Sequence, residues 1–473
     1  MIEKSRFASA TEIASSVRKG ALTALSVTDL ALDRIGKTDD QFQAFRHIDA
    51  DGARFAAQAI DAKLRSGDRL GPLAGVPIGV KENVSVEGLP CEMGSLVRRG
   101  EFAEEDAPAI RRLRMADAVI VGMTRMPEYG HLAFGHSPLG EATRNPWSLA
   151  HTPGGSSSGS AVAVAAGQVA LALGTDGGGS IRIPAACCGV VGHKPTLGRV
   201  PHPLTRAGFT SLSHLGPIAR SVVDVALMMD VITDQDPVDP TSLPKEKVSY
   251  TSIATCPPSS GRIAWAPRLG DEPADEDVVQ LCQQVIDALI LDGYEVTVLD
   301  PFLDDWIDEW AVLFDVMLAA IVHGRVDDVQ RLSEATLIAR VDHGLATTAI
   351  DYVLADAARR EVWAVFEKLY RNFDVVMTPS LLHPPLPVDP DTGITNEPEI
   401  WADRWFRHMY PFNLTGQPAI SVPVGLNPSG LPVGLQVVGP RLADGLTIGF
   451  AAAVERRSSW VGWNPDVNGD ISN

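Results

Sequence analysis

Pro153-Gly154-Gly155-Ser156-Ser157-Ser158-Gly159-Ser160 is followed by an Ala/Val run and then by Gly174-Thr175-Asp176-Gly177-Gly178-Gly179-Ser180-Ile181-Arg182-Ile183-Pro184. Two glycine-rich loops thus flank one compact helical stretch, and each carries serine. Glycine lets backbone amides approach a ligand and adopt conformations closed to other residues. The pattern therefore brings two hydroxyl groups towards one place.

Working outward, residues 9–66 read as helices. Ser9-Ala10-Thr11-Glu12 matches a capping box, and Leu25, Ile35, Phe42 and Phe45 precede an Ala-rich stretch that stops at Ser66-Gly67. Beyond it come short apolar runs bounded by Gly or Pro, at 76–80, 118–121, 190–192, 263–266, 296–299, 375–378, 419–422 and 433–438. They alternate with helical stretches such as 275–291 and 349–370, as strands buried between helices do. The class is α/β. Segments 234–261 and 383–399 are rich in Pro, Asp and Ser or Thr. Apolar runs continue beyond both, so they read as surface excursions of one large domain. Its parts are a helical region (1–66), a core (67–235), a variable region (236–400) and a return to the core (401–473).

The formal charge of −19 and a pI near 5.0 argue against a nucleic-acid surface, which needs clustered Lys and Arg to displace counterions. A composition of 45% hydrophobic and 21% charged residues excludes disorder over most of the length. The five cysteines, Cys91, Cys187, Cys188, Cys256 and Cys282, form no CxxC pair and suggest neither a disulfide framework nor a zinc site. Reduced cysteines fit a cytoplasmic protein. The start, Met1-Ile2-Glu3-Lys4-Ser5-Arg6, lacks the basic-then-apolar order of a signal peptide. The most apolar stretch, 161–173, is too short to span a bilayer and is broken by Gly167 and Gln168, so no membrane partner is expected.

Three readings of the glycine loops compete, and one further motif lies outside them. A phosphate-binding loop lacks its lysine, because Ser160-Ala161 follows Gly159. Residues 155–159 match Gly-x-Ser-x-Gly, with Ser157 as nucleophile, but 145–153 is a poor strand for such an elbow to follow. Ser16-Val17-Arg18-Lys19 matches Ser-x-x-Lys inside a helical pattern and reads as a solvated face.

The whole stretch resembles the amidase signature family, through its Gly-Gly-Ser-Ser loop and the later Gly-Thr-Asp-x-Gly-Gly-Ser-Ile-Arg-x-Pro segment. Cys188-Gly189-Val190-Val191-Gly192-His193-Lys194-Pro195-Thr196 fits as well, with His193 where Phe or Leu is commoner. So do Leu73-Ala74-Gly75-Val76-Pro77-Ile78-Gly79-Val80-Lys81-Glu82-Asn83, Asn413-Leu414-Thr415-Gly416-Gln417-Pro418-Ala419 and Gly430-Leu431-Pro432-Val433-Gly434-Leu435-Gln436. Only about 235–400 matches loosely. The resemblance implies a twisted mixed β-sheet flanked by helices, Ser180 as nucleophile, Ser156 as bridging serine with a cis peptide, and Lys81 as base. It also implies an oxyanion hole from the amides of Gly177, Gly178, Gly179 and Ser180.

Residue chemistry fits those roles. A serine is a weak nucleophile until a positioned base takes its proton. Lysine serves only when neutral, and from a reference pKa of ~10.4 that costs about 4.6 kcal/mol at pH 7. Lys81 ends an apolar run, where burial supplies the shift. Ser157, Ser158 and Ser160 read as helix-capping and loop-bonding residues, and Asp176 with Arg182 as a structural pair shaping the loop. Cys187 and Cys188 read as small buried packing residues, and Glu82 and Asn83 as neighbours able to orient Lys81.

For the substrate, candidates are Met126 and Tyr129 in Met126-Pro127-Glu128-Tyr129-Gly130, Arg199 and Arg206 in the loop 198–209, and Trp310. Trp306, Trp310 and Phe314 share one helix face and read as core more readily than as a binding wall. Trp401, Trp405, Phe406 and Tyr410 form a second aromatic group. Together they favour an apolar or aryl amide, with carbamates (urethanes) or esters accessible through the same acyl-enzyme. The alternative is the glutaminase component, the A chain type, of a glutamyl-tRNA amidotransferase complex. No cofactor and no metal are expected, since the constellation lacks His/Cys ligand spacing. Family habit adds a homodimer as the expected assembly.

Overall fold

In a computed structural model describing residues 8–202, 212–389, 391–395, 405–458, 460 and 465, the apolar runs become strands of one sheet. The strands are β1 (Phe45–Ile48), β2 (Pro77–Lys81), β3 (Val119–Thr124), β4 (Leu171–Asp176), β5 (Val191–Lys194) and β6 (His214–Ala219). They continue with β7 (Arg262–Trp265), β8 (Glu295–Val298), β9 (Val375–Pro379), β10 (Ala419–Leu426) and β11 (Pro432–Val438). Their spatial order is β1-β3-β2-β4-β6-β5-β10-β11-β9-β7-β8. Pairing is parallel for β2 with β3 and β4 and for β7 with β8 and β9, and antiparallel elsewhere, so the sheet is mixed. This is a single-domain α/β fold. Among the described residues, no helix is long and apolar enough to cross a membrane.

Three strands escape the sequence reading, each for a physical reason. β1 interrupts the region read as wholly helical; Phe-Arg-His-Ile is too short and polar to stand out beside the helices Ala24–Phe42 and Ala50–Arg65. β4 hides in the apolar stretch 161–173, whose first part is the helix Ser158–Ala165. β6 carries Gly216 and Pro217, residues that argue against an interior strand, yet it pairs on both sides.

Central strands β2, β3, β4 and β11 are buried along their whole length, because helices cover both faces. The helix Ser158–Ala165 is buried at all eight positions, as a helix apolar on every side must be. One apolar core is largely aliphatic and includes the N-terminal helices. The other lies under the helices Ile307–Ile321, Ala335–Ala346 and Ala349–Leu369 and is rich in Phe, Trp and Tyr. β2 and β4 run side by side in the same direction, with Val80 opposite Leu173. Lys81 and Thr175 therefore emerge together at the carboxyl ends of neighbouring strands, where α/β sheets bind ligands.

Candidate active site

Lys81 is fully buried. Its Nζ lies 2.8 Å from Ser156 Oγ, 3.0 Å from Ser157 Oγ and 2.9 Å from Thr175 Oγ1. Burial lowers its pKa to about 7, against the opposing pull of the Asp176 and Glu82 carboxylates. The hydroxyl of Ser157 donates to the Thr175 carbonyl at 3.1 Å, and its oxygen accepts the Thr175 N–H at 3.2 Å. With its own proton committed, Ser157 receives an N–H from Lys81. In the neutral amine two N–H groups suffice for Ser157 and Thr175 Oγ1, and a lone pair is available towards Ser156. Asn83 Nδ2 donates to Thr175 Oγ1 at 3.1 Å and buttresses the third partner.

Ser157 is therefore not the capping residue expected from its place at a helix start; it precedes the helix but makes no side-chain cap bond. Ser160 bonds Thr124 Oγ1 at 2.7 Å and the Leu173 carbonyl at 3.2 Å instead of capping, and Ser158 Oγ has no partner among the described residues. The Gly155–Ser156 peptide is cis. Ser156 is 3% exposed whereas Ser180 is half-buried. The Ser157 N–H donates to the Ser180 carbonyl at 3.0 Å, which ties the two serine loops together. Gly130, at φ +71°, closes over the site: a Cβ there would fall 3.0 Å from Ser156 Oγ.

Asp176 and Arg182 form a fully buried pair, with Nε and Nη2 of the arginine each 3.0 Å from a carboxylate oxygen. The remaining guanidinium donors reach the Met409 carbonyl (3.0 Å), Gln436 Oε1 (2.7 Å) and Asn413 Oδ1 (2.7 Å). All five N–H groups are used inside the protein, so Arg182 has none to offer a substrate. Arg182 in turn holds the Asp176 carboxyl well below its ordinary range, against the upward push of burial. Asp176 Oδ1 accepts the Gly179 N–H at 2.7 Å, and Oδ2 accepts that of Ile181 at 3.2 Å. This corrects the expected oxyanion hole. The Gly179 amide is committed to Asp176, while those of Gly177, Gly178 and Ser180 have no acceptor among the described residues.

The remaining candidates divide. Arg199 is not at the site: it is buried against Asp444 (3.2 Å), Glu246 and the Pro244 carbonyl, a structural ion pair rather than a substrate anchor. Arg206 and Trp401 lie outside the described residues. Met126 is fully buried behind Gly130, and Tyr129, nearly buried, adopts a left-handed backbone at φ 48°. Trp310 joins the glycine loop, donating from Nε1 to the Gly177 carbonyl at 3.0 Å. Cys187 and Cys188 are buried beneath the Ser156 loop with their thiols pushed upward by burial. Glu82 is buried too, pushed up to about 7 by burial. Sequence reasoning assigns no role to Thr175, Asn413 or Gln436, although all three sit inside the quoted motifs.

The family model Amidase matches residues 26–448. An acylamidase of Rhodococcus erythropolis is 32% identical over 468 residues, covering 97% of each chain. The A subunit of the glutamyl-tRNA(Gln) amidotransferase of Streptomyces avermitilis is 35% identical over 482 residues, covering 94% of each. Among solved structures, a bacterial aryl acylamidase of the amidase signature family superposes with a TM-score of 0.87 at 28% identity, over 96% of this chain and 97% of the other. Fold and strand-end cluster together define an amide-cleaving α/β enzyme. The chain belongs to the amidase signature family, and it is a hydrolase acting on amides.

Proposed function

We propose that this protein hydrolyses the C–N bond of apolar or aryl acyl amides through an acyl-enzyme on Ser180. One observation carries the reading: a buried lysine amine, lowered to about 7, sits 2.8 Å from the hydroxyl of Ser156. No histidine hydrogen-bonds Ser156 or Ser180 among the described residues, so Lys81 is the base at hand. Ser180 Oγ attacks the carbonyl carbon while its proton passes to Ser156 and the Ser156 proton passes to Lys81. Negative charge on the carbonyl oxygen is met by the free amides of the 177–180 loop. The C–N bond then breaks as the proton returns through Ser156 to the leaving nitrogen. Water attacks the ester by the same route, releases the acid and restores Ser180. The same acyl-enzyme is open to carbamates and esters, whose carbonyls accept the same attack.

The aromatic second core, with Trp310, Phe314, Phe406 and Tyr410 beside the glycine loop, favours an apolar or aryl acyl group. A second reading, glutaminase within an amidotransferase complex, draws on the 35% identity to the Streptomyces avermitilis amidotransferase chain. The deciding experiment offers the purified chain a panel of acyl anilides, aliphatic amides, carbamates, esters and glutamine. Turnover of an anilide that is lost in Ser180→Ala supports the proposal, and undiminished turnover in that variant refutes the nucleophile. Ammonia released from glutamine, with anilides untouched, would select the second reading.

A further inference from the structure

Trp310 lies 133 residues from Gly177 in the chain, outside both serine loops. Its indole Nε1–H donates to the Gly177 carbonyl at 3.0 Å. Its six-membered ring covers Gly178, where a Cβ would fall 2.4 Å from Cζ2 and 2.9 Å from Cε2. The peptide joining Gly177 to Gly178 is trans, so its N–H points away from the carbonyl that the indole holds. The Gly178 N–H is one of the loop amides left without an acceptor, whereas the next one, on Gly179, is spent on Asp176.

Three consecutive glycines make a backbone with many accessible conformations. If the peptide plane of residues 177–178 turned over, it would present a carbonyl oxygen where the reaction needs a donor. Something must fix that plane, and the indole is itself fixed. Phe314 stacks on it at 4.9 Å and 18°, and Phe406 meets it edge-on at 5.8 Å. The Arg340 guanidinium lies 5.9 Å from its ring centre, held in turn by Asp315 at 2.8 Å. A cation over the ring is attracted to its face and so helps to hold the indole in place. We propose that Trp310 is a positioning residue of the oxyanion hole: it grips the Gly177 carbonyl so that the Gly178 N–H faces the developing oxyanion. The inference rests on the acyl-enzyme reading above.

The test is Trp310→Phe, which keeps an aromatic ring and removes the N–H, alongside replacement of Trp310 by benzothienylalanine, which keeps the whole shape. Both should lower kcat on an acyl anilide by up to about 100- to 1,000-fold, the range for losing one oxyanion donor, with KM changed less than about threefold. Binding of phenylacetaldehyde, whose serine adduct places an oxyanion in the hole, should weaken by the same factor. Binding of phenylacetate, which forms no adduct, should not. Gly178→Ala should be nearly inactive alone and, combined with Trp310→Ala, should rise to the activity of Trp310→Ala itself, since the ring that its Cβ would strike is gone. Unchanged kcat in the benzothienylalanine protein, or equal weakening of aldehyde and acid, overturns the proposal. Ser180→Ala keeps the two failures apart: activity surviving there sinks the acyl-enzyme itself, whereas a dead Ser180→Ala beside a normal benzothienylalanine protein sinks only the role of Trp310.

Discussion

Lys81 has a charged form that burial disfavours and a neutral form that the proposed chemistry uses. Its pKa falls from 10.5 to about 7 on folding. At about 1.4 kcal/mol per unit, folding around it costs about 5 kcal/mol near neutrality. The sign follows from proton counts. Between about pH 7 and 10.5 the unfolded chain holds a proton that the folded one has lost, so stability rises with pH across that window. Below it, both states are protonated and the cost is present in full. Lys81→Met should therefore be inactive, and its stability relative to the wild type should decline as pH rises from 7 to 10. Urea unfolding at several pH values measures this. Loss of the amine's contacts to three hydroxyls, about 1 kcal/mol each, displaces the variant's curve without bending it. A stability difference independent of pH would contradict a depressed amine. In the wild type, kcat/KM should fall tenfold per pH unit below about 7 as the base protonates.

At the scale of elements, the helix Ala10–Arg18 shows what a sequence can disclose. Its Ser9–Glu12 capping box is local and legible in four consecutive residues. Its other cap is not: Asp224, 214 residues from Ala10, accepts the amides of Ala10 and Thr11 at 3.1 and 3.0 Å. Asp224→Ala should cost about 1–2 kcal/mol of stability, read as a lowered urea midpoint with an unchanged slope. A variant as stable as the wild type would show the cap to be idle. The site divides along the same line. Lys81, Ser156 and Ser180 lie in contiguous motifs whose spacing is visible in the chain. Which glycine amide is free depends on where the oxygens of Asp176 fall, and Arg199 looks like an exposed anchor until Asp444 is brought beside it. Strand β6 is illegible in the chain because its neighbours β4 and β5, not its own Gly216-Pro217, decide that it is a strand.

Across the whole molecule, Arg182 is the joint. It takes Asp176 from the end of β4 and reaches Met409, Asn413 and, in β11, Gln436. The two halves of the sheet meet where β5 pairs with β10, and this guanidinium links them a second time, two residues from Ser180. Arg182→Met should destabilise by about 3–5 kcal/mol, because it leaves the buried Asp176 carboxylate without its cation. It should also release the loop that Asp176 holds through Gly179, so turnover should fall even well below the unfolding temperature. Thermal unfolding and anilide turnover at about 20 °C on the same preparation check both effects, and full activity in a destabilised variant would confine Arg182 to stability.

The order in which the residues are made adds a consequence. On the ribosome, Lys81, Ser156 and Ser180 are all joined before Met409, Asn413 and Gln436 exist. A nascent chain thus holds all three residues of the proposed chemistry while its arginine still waits for three of its acceptors. The arginine's set of acceptors is completed only when β11, the last strand among the described residues, has been added.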